Sequence, residues 1–485
     1  MPADELCDCF GPGGRLSFKR NGLESGRIVA IGLTLVFSSA VLHFGQAAQH
    51  KRAVSERQIT SKRCGHILTN TGVWSPDSEW LVYDTRPDPE GAVFEGKTIE
   101  TVNVRSGEVR TLYESRNGAF CGAATFDPSG KRVVFMLGPE HPSTDWAYCA
   151  WHRQGVLMDV DVPGKGHNLD ARDLTPPFTS GALRGGTHLH VWAPAGDWVA
   201  FTYEDHLLAQ FTNAQPGNDI NQRNIGISVP GKPVRVSKDH PRNHAGEYFS
   251  VLVTRTVVEP KPGSDQIVRA CEEGWIGTNG YVRTDGSRQK RALAFQGTVV
   301  PQNGKTNVEV FVVDLPEDLT IAGEGPLAGT ETRRPFPPKG AVQRRLTSTG
   351  AKKFPGIQGP RHWLRSSPDG SQIAFLARDN DGVVQLWTIS PNGGEPRQIS
   401  RNQWPVASAF TWSPDGSQIT HLMDNSVCVT DISQGQTHRL TERTEAGITP
   451  RPEACVFSPD GSKVAFVRRI DGYNQVCVVE VPKNN

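Results

Sequence analysis

The chain has 485 residues, with 52 Lys+Arg against 51 Asp+Glu, 50 Gly and 35 Pro. This near-balance of charge removes the electrostatic case for a nucleic-acid partner. Abundant Gly and Pro point to many short strands joined by tight turns, not to long helices.

Residues 28–42, IVAIGLTLVFSSAVL, carry no charge; Lys19, Arg20 and Arg27 precede them, and Gly45-Gln46-Ala47 follows. A basic region, an apolar run and small residues at a cleavage point predict a leader over residues 1–48 that exports the protein, to the periplasm or beyond. The alternative is an uncleaved anchor, with residues 28–48 attaching the protein to the inner membrane. That apolar run is short of the roughly 20 residues of a spanning helix. Seven cysteines follow the leader and none forms a C-x-x-C pair, so burial as small apolar side chains is expected.

A repeat organises the rest, residues 57–482. Near the C-terminus, RSSPDGSQIAFLARD (365–379), FTWSPDGSQITHLMD (410–424) and VFSPDGSKVAFVRR (456–469) each join a short apolar strand to an alternating one. The Ser-Pro-Asp-Gly between them is a hairpin turn, because Pro presets φ and Gly accepts φ > 0. Third and fourth strands follow, as in VVQLWTIS (383–390) and PRQIS (396–400). More diverged copies stand at 73–86, 125–138 and 191–205, and the last turn prolines are 46 and 45 residues apart. Such spacing predicts four-stranded blades and hence a β-propeller.

The interval between Pro194 and Pro368 is too long for one blade. It is filled by a degenerate fourth blade with strands at 248–254, 291–299, 308–316 and 343–347. Residues 255–290 are then an insertion in its first hairpin, and SDQIVRACEEGWIG within it is expected to be a short helix. The count becomes seven blades; a six-bladed ring is the alternative. The last blade lacks a fourth strand, and Arg57-Gln58-Ile59-Thr60 reads like those of the other blades, so it is expected to close the ring. Closure leaves short edges, and a monomer is expected.

The Ser-Pro-Asp-Gly repeat resembles the TolB-like propellers of bacterial envelopes. LTNTGVWSPDSEWLVYDTRP, GALRGGTHLHVWAPAGDWVAFTYEDH, PGSDQIVRACEEGWIG and QLWTISPNGGEPRQIS are similar to the YidR-like bacterial proteins, over nearly all of residues 57–481. The resemblance implies a propeller and carries no activity over. The leader and residues 278–290 depart from the family pattern.

In a propeller the turns joining first to second strands lie on one face. The entries to the first strands, and the loops joining second to third, surround the channel mouth on the other, where ligands commonly bind. Seven of the fourteen histidines map to that mouth: His66, His141, His188, His190, His206, His244 and His362. His188 and His190 alternate on a strand and so are expected to share a side. With His66 or His362 they could hold a divalent metal, leaving a position for water. Arg184 and Arg361 could clamp a carboxylate. The candidate ligand-binding set is therefore His66, Arg184, His188, His190, His206, Arg361 and His362, with His66, His188, His190 and His362 as candidate metal ligands. The bland reading is that these histidines hydrogen-bond to loop backbone. Trp74, Trp192, Trp363 and Trp412 read as packing between blades.

No G-x-S-x-G, P-loop or dinucleotide fingerprint occurs. Two functions compete. The first is a non-catalytic propeller of the cell envelope that binds a protein or glycan. The second is a metal-dependent lyase or hydrolase acting on an acidic carbohydrate, a reading that rests on the mouth histidines with Arg184 and Arg361, an arrangement that resembles the channel-mouth metal site of the seven-bladed oligogalacturonate lyases.

Overall fold

The structure, a computed structural model, describes residues 56–211, 217–445 and 447–482. Their backbone is organised into seven four-stranded antiparallel sheets. Blade one comprises Gly65–Ile67, Trp80–Arg86, Thr98–Asn103 and Val109–Glu114; blade two comprises Cys121–Phe126, Arg132–Leu137, Gln154–Asp159 and Gly166–Asn168. Blade three is Gly185–Trp192, Val199–Asp205, Asn224–Val229 and Phe249–Leu252; blade four is Ile267–Trp275, Ala292–Val299, Asn307–Asp314 and Val342–Arg345. Blades five and six start at Arg365–Ser366 and Thr411–Trp412, and end at Arg397–Gln398 and Thr437–Arg439. Blade seven takes Pro450–Phe457, Lys463–Ile470 and Tyr473–Glu480, and is completed by Glu56–Gln58. The leader of residues 1–48 lies outside the described residues. Among the described residues no helix is long and apolar enough to cross a membrane.

The ring closes as the repeat predicts. Glu56, Arg57 and Gln58 pair with Val479, Val478 and Cys477. Arg468 grips both carboxylate oxygens of Glu56 at 2.7 and 2.9 Å, and Thr60 donates to Gln475 at 2.7 Å.

The turns explain the repeat chemically. Asp369 accepts from Ser367 Oγ at 2.5 Å and from Ser371 N–H at 3.0 Å, and the same bonds recur at Asp415 and Asp460. Each turn also seats on its neighbour. A Cβ on Gly130 would lie 2.6 Å from Cδ of Pro76 in the preceding turn, so glycine is required there by contact as well as by its φ of 72°. Between blades, apolar side chains of facing sheets form seven clusters, one for each interface of the ring. Phe466 is fully buried in one of these; truncating such a ring costs about 3–5 kcal/mol. Trp275 and Trp412 end first strands, Trp74 bridges to Leu81 beyond the first strand of blade one, and each donates its indole N–H to a backbone carbonyl of the preceding blade, at 2.9–3.1 Å. Five of the seven cysteines are buried and all seven are free thiols.

Two strand assignments differ from expectation. Residues 249–252 are the outermost strand of blade three, paired with Gly226–Val229, not the first strand of blade four. The predicted helix over SDQIVRACEEGWIG is instead Ile267–Trp275, the true first strand of blade four. A bulge between Cys271 and Gly274 breaks the period of two and leaves a helix-like scatter of apolar positions. The insertion expected over 255–290 therefore reduces to a small hairpin, Tyr281–Val282 with Arg288–Gln289, standing where the Ser-Pro-Asp-Gly turn would be.

Candidate functional site

First strands of adjoining blades approach one another around the axis. In blades two, three and four this strand carries the same bulge, with a non-glycine residue at positive φ: Ala123 (57°), Leu189 (55°) and Glu272 (54°). A left-handed backbone costs roughly 1–2 kcal/mol per residue, and a bulge re-aims the side chain beside it. Ala123 and Leu189 meet Phe94, Met136 and Trp363 in one apolar cluster. Blades three and five are not neighbours, so Leu189 and Trp363 can share a cluster only by crossing the axis. Arg365 of blade five likewise reaches Asn70 of blade one. The channel is thus filled beneath its mouth.

Glu272 occupies the third bulge and differs in kind. It is an acid at 6% exposure, paired with Arg361 at 2.9 Å, and Arg361 stacks over Trp363 at 4.6 Å. Burial pushes the Glu272 carboxyl up, but Arg361, Arg269, a hydrogen bond from Cys271 and Arg223 together outweigh it and hold the group below its usual range. Beside it, Arg223 pairs with Glu204 at 2.7 Å. His188 faces this group. Its side chain is buried, at 6% exposure, and its Nε2 has no hydrogen-bond partner. Burial, then the positive charges of Arg153, Arg223 and Arg361, drive its pKa well below the ordinary value, so the imidazole is neutral. Arg153 opens the third strand of blade two, Arg223 that of blade three, and Arg361 enters blade five. All three belong to the mouth face.

Of the residues expected here from the sequence, only His188 and Arg361 come together. The bulge at Leu189 undoes the alternation that placed His188 and His190 on one side. His190 is fully buried, its Nε2 3.0 Å from Thr187 Oγ1, with Gly155 and Phe201 against it. His66 is tied by Nδ1 to Asn474 O at 2.8 Å, linking blade one to blade seven. His362 uses both nitrogens, Nδ1 to Pro360 O at 2.8 Å and Nε2 accepting from Leu376 N–H at 3.2 Å. His206 Nδ1 meets His152 Nε2 at 3.0 Å, and both rings pack on Trp146. Arg184 is fully buried on Asp205 at 2.6 Å and also donates to Thr330 O and Arg333 O. His66, His206, His362 and Arg184 are structural in the bland sense, their polar atoms bonded to backbone or to neighbouring side chains, whereas the Nδ1 of the buried His190 has no partner.

The four imidazoles proposed as metal ligands are therefore dispersed. Among the described residues no three His, Cys, Asp or Glu side chains gather as a metal cluster. The donors present do not fit a resident divalent ion held by His66, His188, His190 and His362. The thiols nearest the mouth are not poised as nucleophiles either. Burial pushes Cys149 up to about 12 and Cys271 higher still.

Arg153, Arg223, Glu204 and Glu272 were not singled out from the sequence as site residues. Glu272 had a signal. Aligning CEEGW with HLHVW on the shared tryptophan places it at the position of Leu189, a registration that the helix assignment concealed. Arg153 and Arg223 carry no local signal, because only the ring brings the starts of two third strands to one mouth.

A family model described as a protein of unknown function (DUF3748) matches residues 120–244. Among solved structures, an oligogalacturonate lyase in complex with manganese is similar in fold, with a TM-score of 0.52 and 11% identity, over 89% of this chain and 97% of that one. An oligogalacturonate lyase from Vibrio parahaemolyticus gives 0.50 and 11%, over 90% and 95%. A putative TolB from Agrobacterium tumefaciens gives 0.37 and 14%, over 80% and 99%. The uncharacterized protein YidR of Escherichia coli (strain K12) is 45% identical over 415 residues, 85% of this chain and 94% of that protein. With that identity along almost the whole propeller, the chain belongs to the YidR family.

Proposed function

We propose that the protein is a non-catalytic binding propeller of the cell envelope, and that it takes a glycan ligand at the mouth of its channel. One observation carries this reading: His188 is buried with an unpartnered Nε2 among Arg153, Arg223 and Arg361. A buried polar atom without a partner costs about 1–3 kcal/mol, and a ligand group that pairs with it recovers that cost on binding. The apolar floor of Leu189 and Trp363 keeps the site shallow, which suits a ligand lying across the ring. The protonated state of Cys149 and Cys271 supports binding over nucleophilic chemistry. The envelope location rests on the leader at residues 1–48.

The test is thermal melting of the wild type and of His188→Ala against a panel of neutral and acidic glycan fragments. A ligand at 100 times its Kd stabilises by about 2.7 kcal/mol. For a domain of roughly 420 residues that is about 3 °C. At least one fragment should produce such a shift in the wild type and not in the variant. Shifts equal in both proteins, or fragments cleaved during incubation, would overturn the reading.

A further inference from the structure

We propose that a cleft beside blade five, where the chain crosses over from blade four, is a second binding site, and that it takes a small phosphate monoester. The proposal uses no residue of the channel mouth and does not depend on the reading of that face.

The cleft, of about 290 Å³, is lined by Lys352, Lys353, Phe354, Arg378, Asp379 and Trp387, among others. Its wall is built by a fixed turn. Glu309, buried in the third strand of blade four, accepts from Thr349 N–H and Thr349 Oγ1, both at 2.8 Å. Lys352 N–H then donates to Thr349 O at 2.8 Å. Gly356 ends the turn at φ 80°, so close to blade four that a Cβ would lie 2.8 Å from Val308 O. The turn presents Lys352, Lys353 and Phe354 to blade five. There the Phe354 ring rests on Gly382, whose Cβ would lie 3.2 Å from Cζ.

The cations of this cleft stand over rings instead of beside acids. Lys352 Nζ is 5.1 Å from the Trp387 centroid; Lys353 Nζ and the Arg378 guanidinium are 5.1 and 5.6 Å from that of Phe354. None of the three makes an ion pair among the described residues; Lys353 donates to Asn380 O at 3.1 Å. Asp379 is the carboxylate of the lining, and its own hairpin occupies it. Its Oδ1 accepts from Asp381 and Val383 N–H at 3.0 and 2.9 Å, and its Oδ2 from Gln385 at 3.0 Å. Asp381 is exposed at the hairpin tip and does not line the cleft. The lining therefore keeps two positive charges in a concavity with aromatic walls, which focus their field. A larger cleft of about 450 Å³ at the entry to blade four makes the contrast. It also holds three cations, but Arg255 pairs with Glu324, and Arg333 and Arg334 pair with Asp219 at 3.8 and 3.3 Å.

Two unpaired charges match a dianion. Lysine ammoniums are point charges with rotatable donors, which suits a tetrahedral phosphate better than a planar carboxylate. A phosphate monoester approaches two negative charges at pH 7. The cleft lies at the small end of ligand pockets, about 300 Å³, which favours a molecule of sugar-phosphate size over a polymer.

The test is calorimetry on the full chain at pH 7 with D-glucose 6-phosphate, D-glucose 6-sulfate and D-glucose: a near-dianion, a monoanion of the same shape and a neutral sugar. The phosphate should bind about tenfold or more tightly than either of the others. Its affinity should fall about tenfold or more in Lys352→Ala/Lys353→Ala and in Arg378→Ala. These side chains are exposed, so the variants keep the fold. His188→Ala should leave the affinity unchanged. Sulfate binding as tightly as phosphate would overturn the dianion. Phosphate binding retained in both cleft variants, lost in His188→Ala or absent from the wild type would overturn the site.

Discussion

Arg184 and Arg361 have equal standing in the sequence, and the structure gives them opposite roles, which mutation separates. Arg184 is fully buried; Nη2 and Nε donate to Asp205 at 2.6 and 3.2 Å, Nη2 donates to Arg333 O at 3.0 Å, and Nη1 donates to Thr330 O. Arg184→Ala leaves Asp205 as a buried carboxylate supported by Tyr203 Oη at 3.0 Å and Leu208 N–H at 3.1 Å. Removing one member of a buried pair costs about 3–5 kcal/mol. An unfolding entropy of about 2.1 cal/mol/K per residue over roughly 420 residues gives about 0.9 kcal/mol/K, hence a Tm lower by about 3–6 °C. Circular dichroism melting reads this directly. The double variant Arg184→Met/Asp205→Leu, which replaces the pair with apolar side chains, should recover most of the loss. Ligand affinity below the transition should stay within about twofold of wild type, because Arg184 lies outside the mouth. A loss under about 1 kcal/mol in the single variant, or no recovery in the double, would refute the assignment.

Other expectations follow from closure and from the buried titratable groups. Deleting the chain through Thr60 removes the fourth strand of blade seven together with the Arg468–Glu56 and Thr60–Gln475 bonds; Tm should fall by about 5 °C or more, and an unchanged melt would mean that the ring closes otherwise. His190, His362 and His421 are fully buried, and burial lowers them to about 3, 4 and 4. The unfolded chain therefore takes up protons first as pH falls below about 6.5. Their contribution is whole above that value and declines toward pH 4, by about 1.4 kcal/mol per pH unit for each group; Tm measured from pH 7 to 4.5 should drop, and a flat profile would contradict their neutral burial. Glu273 has the opposite sign. Burial raises its carboxyl to about 7, and its Oε1 has no partner. Stability is therefore lost as pH rises from the ordinary carboxyl value of 4.5 to about 7 and is level beyond it, so Glu273→Gln should raise Tm at pH 8 and have much less effect at pH 4.5.

The ring itself was legible because its signals are local. The Ser-Pro-Asp-Gly turn is written in adjacent residues, and Arg57–Thr60 advertises the missing strand by likeness to the strands it replaces. Blade four was misread for a physical reason. Its turn is displaced by the hairpin at 281–289, and its first strand carries a bulge, so neither punctuation nor alternation marked Ile267–Trp275. The same bulge in blade three defeated the pairing of His188 with His190. Alternation holds for a regular strand, and Leu189 at φ 55° is not one. His66, His206 and His362 were consumed by backbone carbonyls, a backbone amide and a neighbouring imidazole. Arg153 and Arg223 were invisible because their meeting depends on blades two and three standing side by side.

The most direct measurement is a crystal structure of the protein with the glycan fragment that shifts the melting of the wild type and not of His188→Ala. The account predicts the fragment at the channel mouth, with His188 Nε2 at hydrogen-bond distance from it. A fragment seated instead in the cleft of roughly 380 Å³ on the opposite face, lined by Trp275, Lys290, Arg291 and Glu317, would contradict it, as would a metal ion held by side chains at the mouth.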